Sequence, residues 1–281
     1  MGGRLTMRSA APVIAAILLT ACPACAAQPR IASMNVCTDQ LLLSLADPGQ
    51  IVGLSRYARD DWQSWRAAEA QKFPVLSGGA EDILVLKPDV VVASLFDKRA
   101  TRELLQANGV QLAEFSVPRT MDEVKAQIVR MGEITGQAER ANAEVGRIDA
   151  AIQRARETLG QRNGRVLPLS RRGWVAGRDS LLGVLLREAG LRNAADELGI
   201  GDGAFISLEG ILALKPDVLL LSEAGDRAED EGRAFLLHPA LARFYPPDQL
   251  IVIPDRLTVC GGVMLAEALD LLVSEMKRIG K

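Results

Sequence analysis

Residues 81–94 read Glu81-Asp-Ile-Leu-Val-Leu-Lys-Pro-Asp-Val-Val-Val-Ala-Ser94, and residues 209–222 read Glu209-Gly-Ile-Leu-Ala-Leu-Lys-Pro-Asp-Val-Leu-Leu-Leu-Ser222. Nine of the 14 positions are identical at an offset of 128, which marks one structural unit used twice. Each copy predicts a short helix, a Lys-Pro-Asp turn and a strand. Pro88 and Pro216 stop the helix, because proline lacks an N–H and restricts the residue before it. The run after each Asp is apolar without alternation, as in a parallel strand covered on both faces.

Further out from the repeat, Asp39-Gln-Leu-Leu42 echoes Asp179-Ser-Leu-Leu182, each predicted to open a helix after a strand (Ile31–Asn35; Leu167–Val175, interrupted). The interval from this echo to the repeat is about 12 residues longer in the first half, which places Trp62 and Trp65 in an insertion. More strands are expected at Ile51–Leu54, Gln111–Phe115 and Leu250–Ile253, with helices at Arg99–Asn108 and Val263–Ile279. Alternating strands and helices predict an α/β protein of two lobes with mostly parallel sheets. Thr120-Met-Asp-Glu123 is a capping box opening a helix to about Met131. A second helix is predicted over Gln137–Leu159, with one apolar stripe at Ala138, Ala141, Val145, Ile148, Ile152, Ala155 and Leu159. At 1.5 Å per residue it spans roughly 35 Å, enough to join the lobes as a stiff rod and to disfavour large hinge closure.

The 281 residues carry 33 basic and 35 acidic side chains, so no basic surface argues for nucleic acid. One histidine, His238, excludes a multi-histidine metal site and leaves a single imidazole for any Ser-His or Cys-His enzyme. It reads as a loop or helix-start residue. Residues 1–26 combine Arg4 and Arg8 with a short apolar run and a small-residue end, the pattern of an export signal too short to span a bilayer. Ala24-Cys-Ala26 fits cleavage to a soluble protein; Leu19-Thr-Ala-Cys22 fits a lipobox that would leave Cys22 lipidated. Both place the chain in the cell envelope, the soluble form preferred. The expected organisation is 1–26 signal, 27–119 first lobe, 120–160 linking helices and 161–281 second lobe.

Ile31-Ala-Ser-Met-Asn-Val-Cys-Thr-Asp39, Ile51-Val-Gly-Leu-Ser-Arg-Tyr57, the two Leu-Lys-Pro-Asp repeats, Trp174-Val-Ala-Gly-Arg-Asp-Ser180 and Asp255-Arg-Leu-Thr-Val-Cys-Gly-Gly262 together resemble the helical-backbone periplasmic binding proteins of ABC importers, which take up iron–siderophores, haem or cobalamin. The resemblance spans nearly all of the chain after the signal. It implies an interlobe cleft holding a metal chelate or tetrapyrrole-like ligand, no intrinsic cofactor, no catalysis, a monomer, and delivery to a membrane permease dimer. Tyr57 and Trp174 match positions that touch corrin in the cobalamin-binding member. The family's other cleft tryptophans are absent, and Ser94 stands at one such place. The resemblance also implies that Glu81 and Glu209, opening the same helix in each lobe, dock on transporter arginines.

Ligands of open α/β sheets sit at the carboxyl ends of the strands. Tyr57, Phe96 and Trp174 fall in such loops, and Phe205 just before the second repeat, so these four are the candidate ring-stacking residues. Arg56, Arg59, Arg178 and Arg256 flank the same loops and suit anionic groups; Arg56 and Arg178 are the foremost. Cys37 and Cys260 follow the first strand of one lobe and the last of the other. A disulfide between them and thiolate ligation of a metal are both open readings, with oxidation favouring the first. Other function classes are an exported α/β hydrolase using His238, although no G-x-S-x-G elbow is present, and an envelope adaptor without a ligand.

Overall fold

The computed structural model describes residues 2–3, 28–160, 164–222 and 231–280. Apart from residues 2–3, the export segment lies outside the described residues, as do both of its cleavage alternatives.

The first sheet is wholly parallel. Its strands are β1 (Ile31–Ser33), β2 (Ile51–Ser55), β3 (Val75–Leu76), β4 (Val90–Ser94) and β5 (Gln111–Phe115), in spatial order β3-β2-β1-β4-β5. The second sheet is formed by β6 (Arg165–Leu169), β7 (Trp174–Ala176), β8 (Arg192–Asn193), β9 (Gly203–Phe205), β10 (Val218–Ser222) and β11 (Leu250–Ile253). Its order is β11-β10-β6-β7-β9, with β8 also on β6; β7 runs antiparallel to both its neighbours. The expected interrupted strand over 167–175 is therefore two strands. Arg172 (φ 59°) and Gly173 (φ 76°) both enter the left-handed region and reverse the chain between them.

Helix Ala138–Leu159 is the rod the periodicity predicts. Its buried positions are Ala141, Ile148, Ala151, Ile152, Ala155 and Leu159, so Ala151 joins the stripe, whereas Val145 is only partly buried and Ala138, in the first turn, is exposed. Helices Val36–Leu45, Met121–Thr135, Leu181–Glu188 and Leu265–Arg278 contribute to the same continuous core, which extends from Ile31 and Val92 in the first sheet to Val218 and Ile251 in the second. Two smaller cores back the outer faces of the sheets. The helix predicted to end near Met131 continues to Thr135 and stops at Gly136, in the left-handed conformation. Thr120 accepts from the Glu123 N–H as a capping box requires, but the Glu123 carboxylate returns to the N–H of Arg119 rather than to that of Thr120.

The two repeats fold alike, down to their turns. Helices Ala80–Val85 and Leu208–Leu214 precede β4 and β10. Lys87 (φ 47°) and Lys215 (φ 48°) are both left-handed, and the proline that follows each disfavours continuing the right-handed helix. Arg30 donates to the carbonyls of Leu86 (2.7 Å) and Lys87 (3.3 Å), and its own N–H bonds Asp89. Arg165 does the same for Leu214 (2.9 Å) and Lys215 (2.8 Å), with its N–H on Asp217. Each arginine thus satisfies carbonyls that the helix end leaves without partners. The Asp39/Asp179 echo is not equivalent in this way. Asp39 lies inside its helix, behind the true cap Asn35, whereas Asp179 precedes the cap Ser180.

Candidate functional site

The residues that end β1, β4, β5 and β11 converge on an interlobe cavity of about 250 Å³. Its walls are largely apolar: Phe96, Phe115, Val117 and Pro118 come from the first half, Leu181 and Val259 from the second. Cys37 and Cys260 line it as a disulfide with Cα atoms 5.2 Å apart, so no thiolate is left for a metal. Beside the disulfide the Pro118 ring packs on the bare Cα of Gly261: a Cβ there would fall 2.4 Å from Pro118 Cγ. Elsewhere between the two halves, Trp65 Nε1 donates to Glu267 (2.8 Å) and Arg119 pairs with Asp202 (2.8 Å). The insertion that carries Trp65 therefore reaches across to the C-terminal helix.

One carboxylate, that of Asp97, lines the cavity. It accepts from Asn35 Nδ2 (2.8 Å) and the Ser94 N–H (2.7 Å), while Asn35 Oδ1 caps the helix that follows β1. Behind it, Asp39 is fully buried and accepts from the N–H (3.1 Å) and hydroxyl (2.5 Å) of Ser55. Burial pushes its carboxyl up to about 7, although the bonds from Ser55 and Ser33 pull the other way; nearby Asp97 adds to the rise.

The candidate aromatic residues divide into three groups. Phe96 is 81% exposed and stands at the cavity mouth. Tyr57 follows β2 in a short 3₁₀ turn; Arg56 stacks 4.8 Å from its ring centre and donates to its hydroxyl (2.7 Å). Trp174 and Phe205 lie opposite each other on β7 and β9, with ring centres 5.0 Å apart in an edge-to-face arrangement. Phe96 alone of the four aromatics touches the cavity. Arg178 lines a different hollow, about 180 Å³, with Arg187, Arg192 and Glu197. Arg59 donates to the carbonyls of Gln71 and Phe73 and so ties down the insertion.

Glu81 and Glu209 are exposed in the first turns of the two repeated helices. Hydrogen bonds from its own backbone and from Ser207 hold the Glu209 carboxyl below the usual range, with a smaller contribution from His238. His238 caps the helix Pro239–Phe244, its Nδ1 accepting from the Ala240 N–H. Sequence reasoning did not single out Asp97.

Two lobes, a helical spine and a lined cleft between strand ends define a solute-binding protein of the helical-spine type. The chain belongs to the periplasmic binding protein family, whose model matches residues 31–247. Its fold is similar to that of the apo periplasmic haem-binding protein RhuT from Roseiflexus sp. RS-1, with 25% identity, a TM-score of 0.73 and coverage of 90% of this chain and 100% of that one. The haem-binding protein BhuT, in complex with two haems, gives 22% identity and a TM-score of 0.72 over 89% and 98% of the chains. An Fe3+-hydroxamate transport protein from Saccharomonospora viridis DSM 43017 gives 18% and 0.67 over 89% and 93%. No curated protein matches the chain. Among the described residues no helix is long and apolar enough to cross a membrane.

Proposed function

We propose that the protein captures a metal chelate with an apolar face, haem foremost and a ferric siderophore or corrinoid next, in the interlobe cleft, and hands it to the permease dimer of an ABC importer. One observation carries this reading. Large apolar side chains that a folded chain would ordinarily bury stand exposed where strands of both sheets end: Leu95, Phe96 and Val117 on one side, Trp174, Phe205 and Val259 on the other. The similarity to two haem-binding proteins supports haem as the first choice. Arg56, on the exposed face of Tyr57, supplies donors for an anionic group of the ligand.

In this reading Glu81 and Glu209 are the contacts to the permease, and the protein works as a monomer with no nucleic-acid partner. The chain divides into the signal, lobes and linking helices expected above, and the mature form is soluble in the periplasm. The hydrolase alternative is not kept, because the single imidazole accepts a backbone N–H as a helix cap. Titration of tryptophan fluorescence with hemin, cobalamin and a ferric hydroxamate tests the proposal. Saturable quenching by one of them is expected; no response to any of the three would sink it.

A further inference from the structure

Two glycines beside Trp174 stand where a side chain would collide with their neighbours. A Cβ built on Gly203 would lie 2.4 Å from Cζ2 and 2.9 Å from Cε2 of the Trp174 ring, so the indole lies against the bare Cα. Gly173, at φ 76°, precedes Trp174; a Cβ there would meet the Ile206 carbonyl at 2.4 Å and the Phe235 ring at 2.8 Å. The two constraints act on different parts of the residue. Gly173 fixes where the Trp174 backbone enters β7, and Gly203 leaves the space that its ring occupies. The φ of Gly203 lies outside the left-handed region, so its backbone would tolerate a side chain and only the space forbids it.

We propose that Gly203 is a positioning residue for ligand capture. By letting the indole settle on β9, it holds Trp174 edge-to-face with Phe205 and presents the pair as a ready-made aromatic wall. This deepens the ligand reading above and rests on it for the claim that the wall meets a flat ligand. A ring already fixed in the free protein loses less side-chain freedom when the ligand binds. With alanine at 203 the methyl and the indole compete for one place. The indole, half exposed, is the group free to move, whereas the Val175 carbonyl, 3.0 Å from the same Cβ, is held by the sheet.

The test uses the full mature chain carrying Trp62→Phe and Trp65→Phe, so that Trp174 is the sole emitter. Gly203→Ala is expected to shift its emission maximum and raise its quenching by acrylamide. Hemin affinity is expected to fall about three- to tenfold, the size of a lost ring contact. In a Trp174→Ala background the same glycine change is expected to leave hemin affinity where it was, because no indole remains to displace, while the close approach to the Val175 carbonyl persists in both backgrounds. Unchanged emission and acrylamide quenching of Trp174 in Gly203→Ala would overturn the positioning role, whatever hemin does. A clear change in those two signals, in a protein whose wild type ignores hemin, supports the positioning role and counts against haem as the ligand.

Discussion

Cys37 and Cys260, 223 residues apart, are joined across the two lobes and lie in the wall of the interlobe cavity. One follows the first strand of the first sheet and the other the last strand of the second. The bond therefore closes nearly the whole described fold into a ring, beside the interlobe cavity.

Loop closure of that length restricts the unfolded chain strongly. Replacing both cysteines by serine should lower stability by about 2–4 kcal/mol. Thermal melts of the variant, and of the wild type with and without reductant, check this. Identical melting in all three would show that the bond adds nothing to the core that already spans both lobes.

Asp39 makes stability fall as pH rises. Its folded pKa, near 7, lies above the ordinary value of 3.8, so the folded state holds a proton that the unfolded chain releases. The favourable contribution is complete below about pH 4 and is lost as pH climbs through 7, a change on the order of a few kcal/mol at about 1.4 kcal/mol per unit. Denaturant melts from pH 4 to 8 should show this slope in the wild type and a flatter one in Asp39→Asn.

The arginine clasps are expected to be structural. Arg165→Leu removes donors from the carbonyls of Leu214 and Lys215 and the partner of Glu197, and should cost about 1–3 kcal/mol. Arg30→Leu should cost a similar amount in the other half. A melting temperature unchanged by both would mean that water satisfies these helix ends equally well.

Phe96 should behave in the opposite way. At 81% exposure its truncation to alanine should change stability by no more than about 0.5 kcal/mol. Hemin binding followed in the same preparation should weaken. Full affinity would place the ligand away from this mouth of the cavity.

Glu81 and Glu209 are predicted to matter only in transport. Changing both to alanine should leave hemin titrations as in the wild type and abolish uptake in cells that depend on this importer. Normal uptake by the double variant would refute the docking assignment, and a lost titration would move the residues into the ligand site.

Much of the architecture was legible because it follows from local rules. Val218–Ser222 and Leu250–Ile253 read as strands from unbroken apolar runs, and Ala138–Leu159 as a rod from one stripe. The reversal at Arg172 and Gly173 was not legible, since a left-handed arginine leaves no mark in composition. The site was legible as a set of loops but not as a surface. Tyr57, Phe96 and Trp174 were all found at strand ends, yet Phe96 alone reaches the cavity, because loop direction depends on what packs beneath it. Asp97 escaped notice for the same reason: its side-chain partner Asn35 lies 62 residues away, after a different strand.

By itself the sequence determined a unit used twice, an α/β class and a stiff helix between the halves. Repeats, proline placement and apolar period are properties of neighbours along the chain, and they act before any tertiary contact forms. The tertiary structure alone decided that Cys37 meets Cys260, that Gly203 makes room for Trp174, and that Arg30 and Arg165 clasp equivalent turns. Those are distances between segments far apart in sequence, set by how the two sheets close on one shared core.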